Sequence, residues 1–165
     1  MENPTPKSDE MLSPAEMLCF AVYSTSHAFN RVYKTVLAPL GLTYPQYLAM
    51  VSLWGCEQQT VGGLCIALGL ESSTLTPLLK RLEAARLIER SRDANDERQV
   101  RVRLTEAGRA LRVRASEVPE RILKLTGLSI ADAIRLHGEI TALRDALDRR
   151  QPTSEAPELS LTELE

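Results

Sequence analysis

Between residues 72 and 104 the spacing of apolar positions changes from helical to alternating. Leu75, Leu78, Leu79 and Leu82 follow the i, i+3, i+4, i+7 spacing of one apolar helix face. Val100, Val102 and Leu104 instead alternate with Gln99, Arg101 and Arg103, the pattern of a strand with one face buried. The first pattern predicts a helix with its cap at Ser72 or Ser73, a start close enough for Pro77 to be tolerated despite its missing N–H. Leu87-Ile-Glu-Arg-Ser91 reads as the partner strand, joined to the second through a polar loop rich in Asp, Asn and Arg. Upstream, Thr60 to Gly69 reads as a short capped helix closed by glycine, and Gly69-Leu-Glu71 as a tight link into the next helix. Helix, turn, helix, hairpin is the order of a winged helix-turn-helix over residues 43–104.

The remaining apolar stripes predict long helices. A first runs from about Ser13, with Pro14 at N1 and Glu16 at N3, to Leu37. A second runs from Thr105 with Ala107, Leu111, Ala115, Val118, Ile122 and Leu125 on one stripe, kinked at Pro119 and without a partner inside the small winged unit. In a third, opened by Ser129 and Asp132, Ala133, Leu136, Ile140, Leu143 and Leu147 step by 3, 4, 3, 4, a seam that wants a partner helix. The expected fold is mainly α with a small β-hairpin wing. Residues 13–40 and 105–149 form a helical dimerisation body, and residues 13–150 form one domain. The Pro-, Ser-, Thr- and Glu-rich segments 1–12 and 151–165 are expected to be disordered acidic tails.

Charge changes the picture, because the formal net of −2 hides an uneven distribution. Residues 1–16 carry −3 and residues 151–165 carry −4, which leaves the body at +5. From Lys80 to Arg103 eight basic residues face five acidic ones. Acidic tails thus mask a body suited to nucleic acid. On the helix opposite the leucines lie Ser73, Thr76, Pro77, Lys80 and Arg81, with Thr74 beside them: groups able to bond phosphates and base edges or to touch a thymine methyl.

The wing makes the resemblance specific. Asp93-Ala-Asn-Asp-Glu-Arg98, followed by an alternating strand and Leu104-Thr-Glu-Ala-Gly108, resembles the wing and exit helix of the MarR family of bacterial repressors. The resemblance implies that Asp96 and Arg98 shape the wing and that Arg98, with Arg92 nearby, meets DNA at a narrow minor groove. Met17-Leu-Cys-Phe-Ala-Val-Tyr-Ser-Thr-Ser26 and Gly41-Leu-Thr-Tyr-Pro-Gln-Tyr-Leu-Ala-Met50 further resemble the organic-hydroperoxide-sensing branch, commonly called OhrR, and the likeness spans about residues 17–148. It implies double-stranded operator DNA as partner, an organic hydroperoxide as oxidant, Cys19 as the oxidised residue, and Tyr33 and Tyr44 as hydrogen-bond partners of its sulfur; Tyr23, one turn after Cys19, is close enough to line the same pocket.

On the residues alone, Cys19 reads as inert core on an apolar helix face; the resemblance assigns it redox chemistry. No Lys or Arg lies within eleven residues of it, and it sits a turn and a half into the expected helix, beyond most of the dipole's reach. On one continuous helix Cys19 and Tyr33 are separated by about 21 Å of axial rise, so a contact between them needs two subunits of a homodimer. The region Arg121-Ile-Leu-Lys-Leu-Thr126, where some branch members carry a resolving cysteine, has none. That favours capping of Cys19 by a small thiol or its further oxidation. Cys56 and Cys65 read as packing residues, Cys56 being the alternative resolving partner.

Other classes fit less well. The three cysteines form neither a CxxC pair nor a metal spacing, and His27 and His137 are the only histidines, so neither an enzyme nor a metal or cofactor site is expected. No apolar run approaches the ~20 residues of a bilayer span and no signal pattern opens the chain, which points to a cytoplasmic protein without membrane contact. The alternative function is a MarR-type repressor released by a reversibly bound aromatic small molecule.

Overall fold

Leu75, Leu79 and Leu82 are fully buried, and with Leu37, Met50, Leu53, Leu64, Ile88 and Val102 they make an aliphatic core. The computed structural model describes residues 13–93, 96 and 98–150, so the expected tails 1–12 and 151–165 lie outside the described residues. Helix α1 (Leu18–Leu37) leads through a short 3-10 turn to α2 (Tyr44–Gly55), β1 (Gln58–Thr60), α3 (Val61–Leu68) and α4 (Ser72–Ala84). Strands β2 (Ile88–Arg92) and β3 (Val100–Leu104) follow, then α5 (Glu106–Ala115), α6 (Val118–Thr126) and α7 (Ile130–Arg149). The expected helix, turn, helix and hairpin are all present. The sheet has a third member: its order is β1-β3-β2, antiparallel throughout, with Gln59 and Arg90 both opposite Val102. β1 is three polar residues, too short to show an alternation.

The caps explain where helices begin. Thr60 accepts the Gly63 N–H at 3.0 Å to open α3, and Gly69, at φ 62, closes it. Thr43 and Gln46 form a capping box at the start of α2. At α5, Thr105 accepts the Gly108 N–H at 3.0 Å and donates its own hydroxyl to the Arg86 carbonyl at 2.6 Å. A side chain on Gly108 would run into the carbonyl oxygen of Leu87. Trp54 Nε1 meanwhile donates to the Gly108 carbonyl at 2.9 Å. The Leu104-Thr-Glu-Ala-Gly108 segment is therefore a close seat for α5 on the turn between α4 and the wing.

Three expectations about helix boundaries are corrected. The N-terminal helix does not run unbroken from Ser13, because the Ser13/Glu16 capping box closes a single 3-10 turn, Pro14–Glu16, and Met17 is extended at ψ 124. A capping box satisfies the donors of one turn and does not oblige the helix to continue. The cap of α4 is Glu71 rather than Ser72 or Ser73, which makes Pro77 an interior residue. The helix after Thr105 is two helices broken at Ser116–Glu117, and its stripe does find partners within the chain. Leu111, Ala115, Val118 and Ile122 are buried in the core, whereas Ala107 and Leu125 are exposed.

The chain divides into two compact units, residues 1–125 and 126–165. In the first, every described residue from Leu18 to His27 is exposed, including Leu18, Phe20, Val22 and Tyr23, while the other end of α1 sinks Val36 and Leu37 into the core. In the second, α7 opens on Ser129, whose side chain accepts the Asp132 N–H at 3.1 Å, and none of its residues is buried. Among the described residues no single helix is long and apolar enough to cross a membrane.

Candidate DNA-binding surface and thiol site

Burial of its leucine stripe turns the rest of α4 outward. Ser73, Thr74, Pro77, Lys80 and Arg81 are exposed and Thr76 is half-buried. The Ser73 hydroxyl lies 3.3 Å from a carboxylate oxygen of Glu71, the cap residue, which holds one end of the surface in place. Pro77 sits at the sixth helical position, so the Ser73 carbonyl has no i+4 N–H to receive. Lys80 and Arg81 have no acidic partner among the described residues.

The wing is ordered by ion pairs that the spacing of charges did not reveal. Arg90 lays Nε and Nη2 on one oxygen of Glu83, at 2.9 and 2.6 Å, while its backbone N–H reaches the other oxygen at 3.2 Å; this ties β2 to α4. The Arg90 hydrogen bonds, opposed in part by burial, hold the Glu83 carboxyl below its ordinary range. Arg103 pairs with Glu89 at 2.8 Å, and Arg101 pairs with Asp93. Both arginines of β3 are thus matched by acids on or beside the adjoining strand while their side chains stay partly exposed. Among the described residues Lys80, Arg81, Arg86 and Arg92 have no acidic partner, and Arg98 has only a long contact with Asp96.

Arg98 is held by its backbone and not by its side chain. Asp96 accepts the Arg98 N–H at 3.0 Å and the Gln99 side-chain amide at 3.1 Å. The Arg98 side chain is 96% exposed and lies 3.8 Å from the Asp96 carboxylate. Arg92, at the end of β2, is exposed as well.

Cys19 is the second residue of α1, not a residue a turn and a half along it. The break at Met17 therefore moves the thiol into the first turn, where backbone N–H groups lack intrahelical partners and the helix dipole attracts negative charge. Cys19 is exposed, as is Tyr23 one turn on, whose ring meets that of His27 edge-on at 4.3 Å. At the other end of α1, Tyr33 stacks on Tyr44 at 4.2 Å with Tyr47 at 6.1 Å. Burial, then the neighbouring Tyr44 and Tyr47, push the Tyr33 hydroxyl up to about 12, and burial raises that of Tyr44. Both stay protonated donors at neutral pH.

The chain thus brings Tyr33 and Tyr44 together, but α1 keeps Cys19 from Tyr33 by about 21 Å of rise. Tyr47, which was not among the expected site residues, belongs to the tyrosine cluster; its place one turn after Tyr44 was the available signal. Cys65 is half-buried against the core. Cys56 is exposed, contrary to its reading as a packing residue, and its thiol lies 3.6 Å from the Gln58 carbonyl.

Residues 31–113 match the family described as transcriptional regulator SarA/Rot. The HTH-type transcriptional regulator TtmR of Methylorubrum extorquens is 42% identical over 149 residues, covering 90% of this chain and 76% of the relative. The organic hydroperoxide resistance transcriptional regulator of Bacillus subtilis is 41% identical over 133 residues, covering 81% and 90%. Among solved structures, reduced AbfR bound to DNA, a protein of Staphylococcus epidermidis, is similar with a TM-score of 0.68 and 30% identity over 82% of this chain and 92% of that one.

Proposed function

We propose that this chain, which belongs to the SarA/Rot-type winged-helix transcriptional regulators alongside MarR-type relatives, is a cytoplasmic homodimeric repressor that releases its operator DNA when an organic hydroperoxide oxidises Cys19. The observation that carries the reading is the uncovered first half of α1. There an exposed thiol stands in the first helical turn among Leu18, Phe20, Val22 and Tyr23, an apolar surface that supports cover by a second subunit and access of a lipid-like oxidant. The name of the Bacillus subtilis relative supports the oxidant class, and the DNA-bound relative supports the nucleic-acid partner.

In the dimer the Tyr33 and Tyr44 hydroxyls of one subunit donate to the Cys19 sulfur of the other. The thiolate sulfur attacks the terminal oxygen of the hydroperoxide and the O–O bond breaks. The departing alkoxide takes a proton to leave as an alcohol, and Cys19 becomes a sulfenic acid. A small thiol then displaces water from it to give a mixed disulfide. The added bulk and the lost tyrosine hydrogen bonds shift one subunit against the other and respace the two recognition helices, which read half-sites of a near-palindromic operator through Ser73, Thr74, Thr76, Pro77, Lys80 and Arg81.

The test is competition of a fragment from the chain's own promoter region against random DNA, before and after stoichiometric hydroperoxide. Preference for the promoter, lost on oxidation, is expected. Binding indifferent to sequence would sink the repressor reading; peroxide-insensitive specific binding would sink the sensing and leave release by a reversible aromatic ligand.

Two substitutions separate the parts. Tyr33→Phe is expected to keep operator affinity while requiring about tenfold more hydroperoxide for release, the worth of one strong hydrogen bond to the sulfur; an unchanged dose curve would remove Tyr33 from the sensor. Lys80→Ala is expected to weaken binding evenly across sequences and to lower the slope of log affinity against log salt by about 0.9, as loss of one phosphate contact does. A sequence-dependent loss with the salt slope intact would place Lys80 on a base instead.

A further inference from the structure

Asp93 is the one charged residue that is buried among those described, at 5% exposure. It stands where β2 ends and the wing loop begins. Its carboxylate is paired with Arg101 of the opposite strand, and its backbone N–H donates to the Gln99 carbonyl at 2.9 Å, so both backbone and side chain close the base of the loop. Above that base Asp96 makes the turn: its carbonyl accepts the Gln99 N–H at 2.9 Å and its carboxylate accepts the Arg98 N–H. The outcome is a side chain at Arg98 that is almost wholly exposed while its backbone is fixed on both sides.

A carboxylate taken out of water is tolerated only when paired and hydrogen-bonded. Burial makes the contact exacting for the carboxylate: without the guanidinium Asp93 loses the opposite charge that offsets its removal from water, whereas Arg101 is partly exposed and keeps access to solvent. The same contact takes Arg101 out of competition for DNA, because its guanidinium faces Asp93. We infer that Asp93, clamped by Arg101, is a positioning residue for the wing: it fixes the loop so that Arg98, and not Arg101, is the arginine delivered to the minor groove. The inference rests on the reading of Arg98 as a DNA contact proposed above.

The experiment measures, for the full chain in its reduced form, affinity for two operators that differ only in the flank under the wing, one A·T-rich with a narrow minor groove and one G·C-rich. The parent is expected to favour the A·T flank by about fivefold to tenfold, and Arg98→Ala to abolish the preference. Asp93→Asn and Arg101→Met are each expected to abolish it too, and Asp93→Asn added to Arg98→Ala to change nothing further. The readout is a ratio, so a fall in the folded fraction, which weakens both complexes alike, leaves it untouched. An Asp93→Asn protein that keeps the parental ratio while Arg98→Ala loses it would overturn the positioning role and spare that of Arg98. A parent without flank preference would overturn both.

Discussion

A Cys19→Ser protein is expected to bind the operator as tightly as the parent and to stay bound at hydroperoxide concentrations that lower the parent's affinity by about 100-fold, toward the upper end of common allosteric couplings. The serine hydroxyl is close to the thiol in size and can accept the tyrosine hydrogen bonds proposed for it, but it does not attack a peroxide oxygen under these conditions. Nothing in the DNA-binding surface touches the position: Cys19 is exposed at the start of α1, while Ser73 to Arg81 lie on α4. Gel-shift or anisotropy titrations with and without a stoichiometric lipid-like hydroperoxide give the two curves. Release of Cys19→Ser at the parental dose would direct attention to exposed Cys56, and a Cys56→Ser protein would then be the decisive comparison.

Gly108→Ala is expected to be the most damaging addition of a methyl group at any described glycine, lowering stability by about 3 kcal/mol in chemical denaturation. The added carbon would collide with the Leu87 carbonyl oxygen, a backbone atom that already receives the Thr105 N–H at 3.1 Å and cannot swing aside as a side chain would. Relief requires α5 to lift from the turn between α4 and β2, which loosens the Thr105 cap and the Trp54 bond together. Ala110→Gly in the same helix serves as the control, because Ala110 is exposed and the change is expected to cost no more than the propensity difference of about 1 kcal/mol. Equal effects of the two changes would mean that the close seat of Gly108 is dispensable.

The recognition helix and the wing were legible because their apolar periods are unambiguous: Leu75, Leu78, Leu79 and Leu82 can face one core only as a helix, and Val102 and Leu104 only as a strand. β1 was not legible, since Gln58-Gln59-Thr60 is held by pairing to β3 and not by any apolar pattern of its own. Helix starts were misjudged where capping signals were read as marking long helices. The Ser13/Glu16 box caps a single turn, and the serines at 72 and 73 lie inside a helix that Glu71 opens. The first of these errors mattered for chemistry, because it placed Cys19 beyond the reach of its helix terminus. The partners of the wing arginines were also out of view: Glu83 with Arg90 is set by the turn after α4, and Asp93 with Arg101 by the hairpin register, neither of which a one-dimensional count of charges contains. The resemblance named Tyr33 and Tyr44 as partners of the Cys19 sulfur; that their rings stack on each other follows from the packing of α1 on α2 and was not legible in the sequence.

The uneven burial of α1 bears on the fate expected of the regulator under the proposed oxidation. Val36 and Leu37 anchor the helix in the core, whereas the segment bearing Cys19 contributes no buried side chain to its own chain. Chemical change at that sulfur therefore leaves the folding free energy of the winged unit nearly untouched. If Cys19 is oxidised as proposed, the molecule is expected to leave DNA as an intact fold rather than as a substrate for proteolysis, and a reductant that restored the thiol would return it to service without a round of synthesis or refolding.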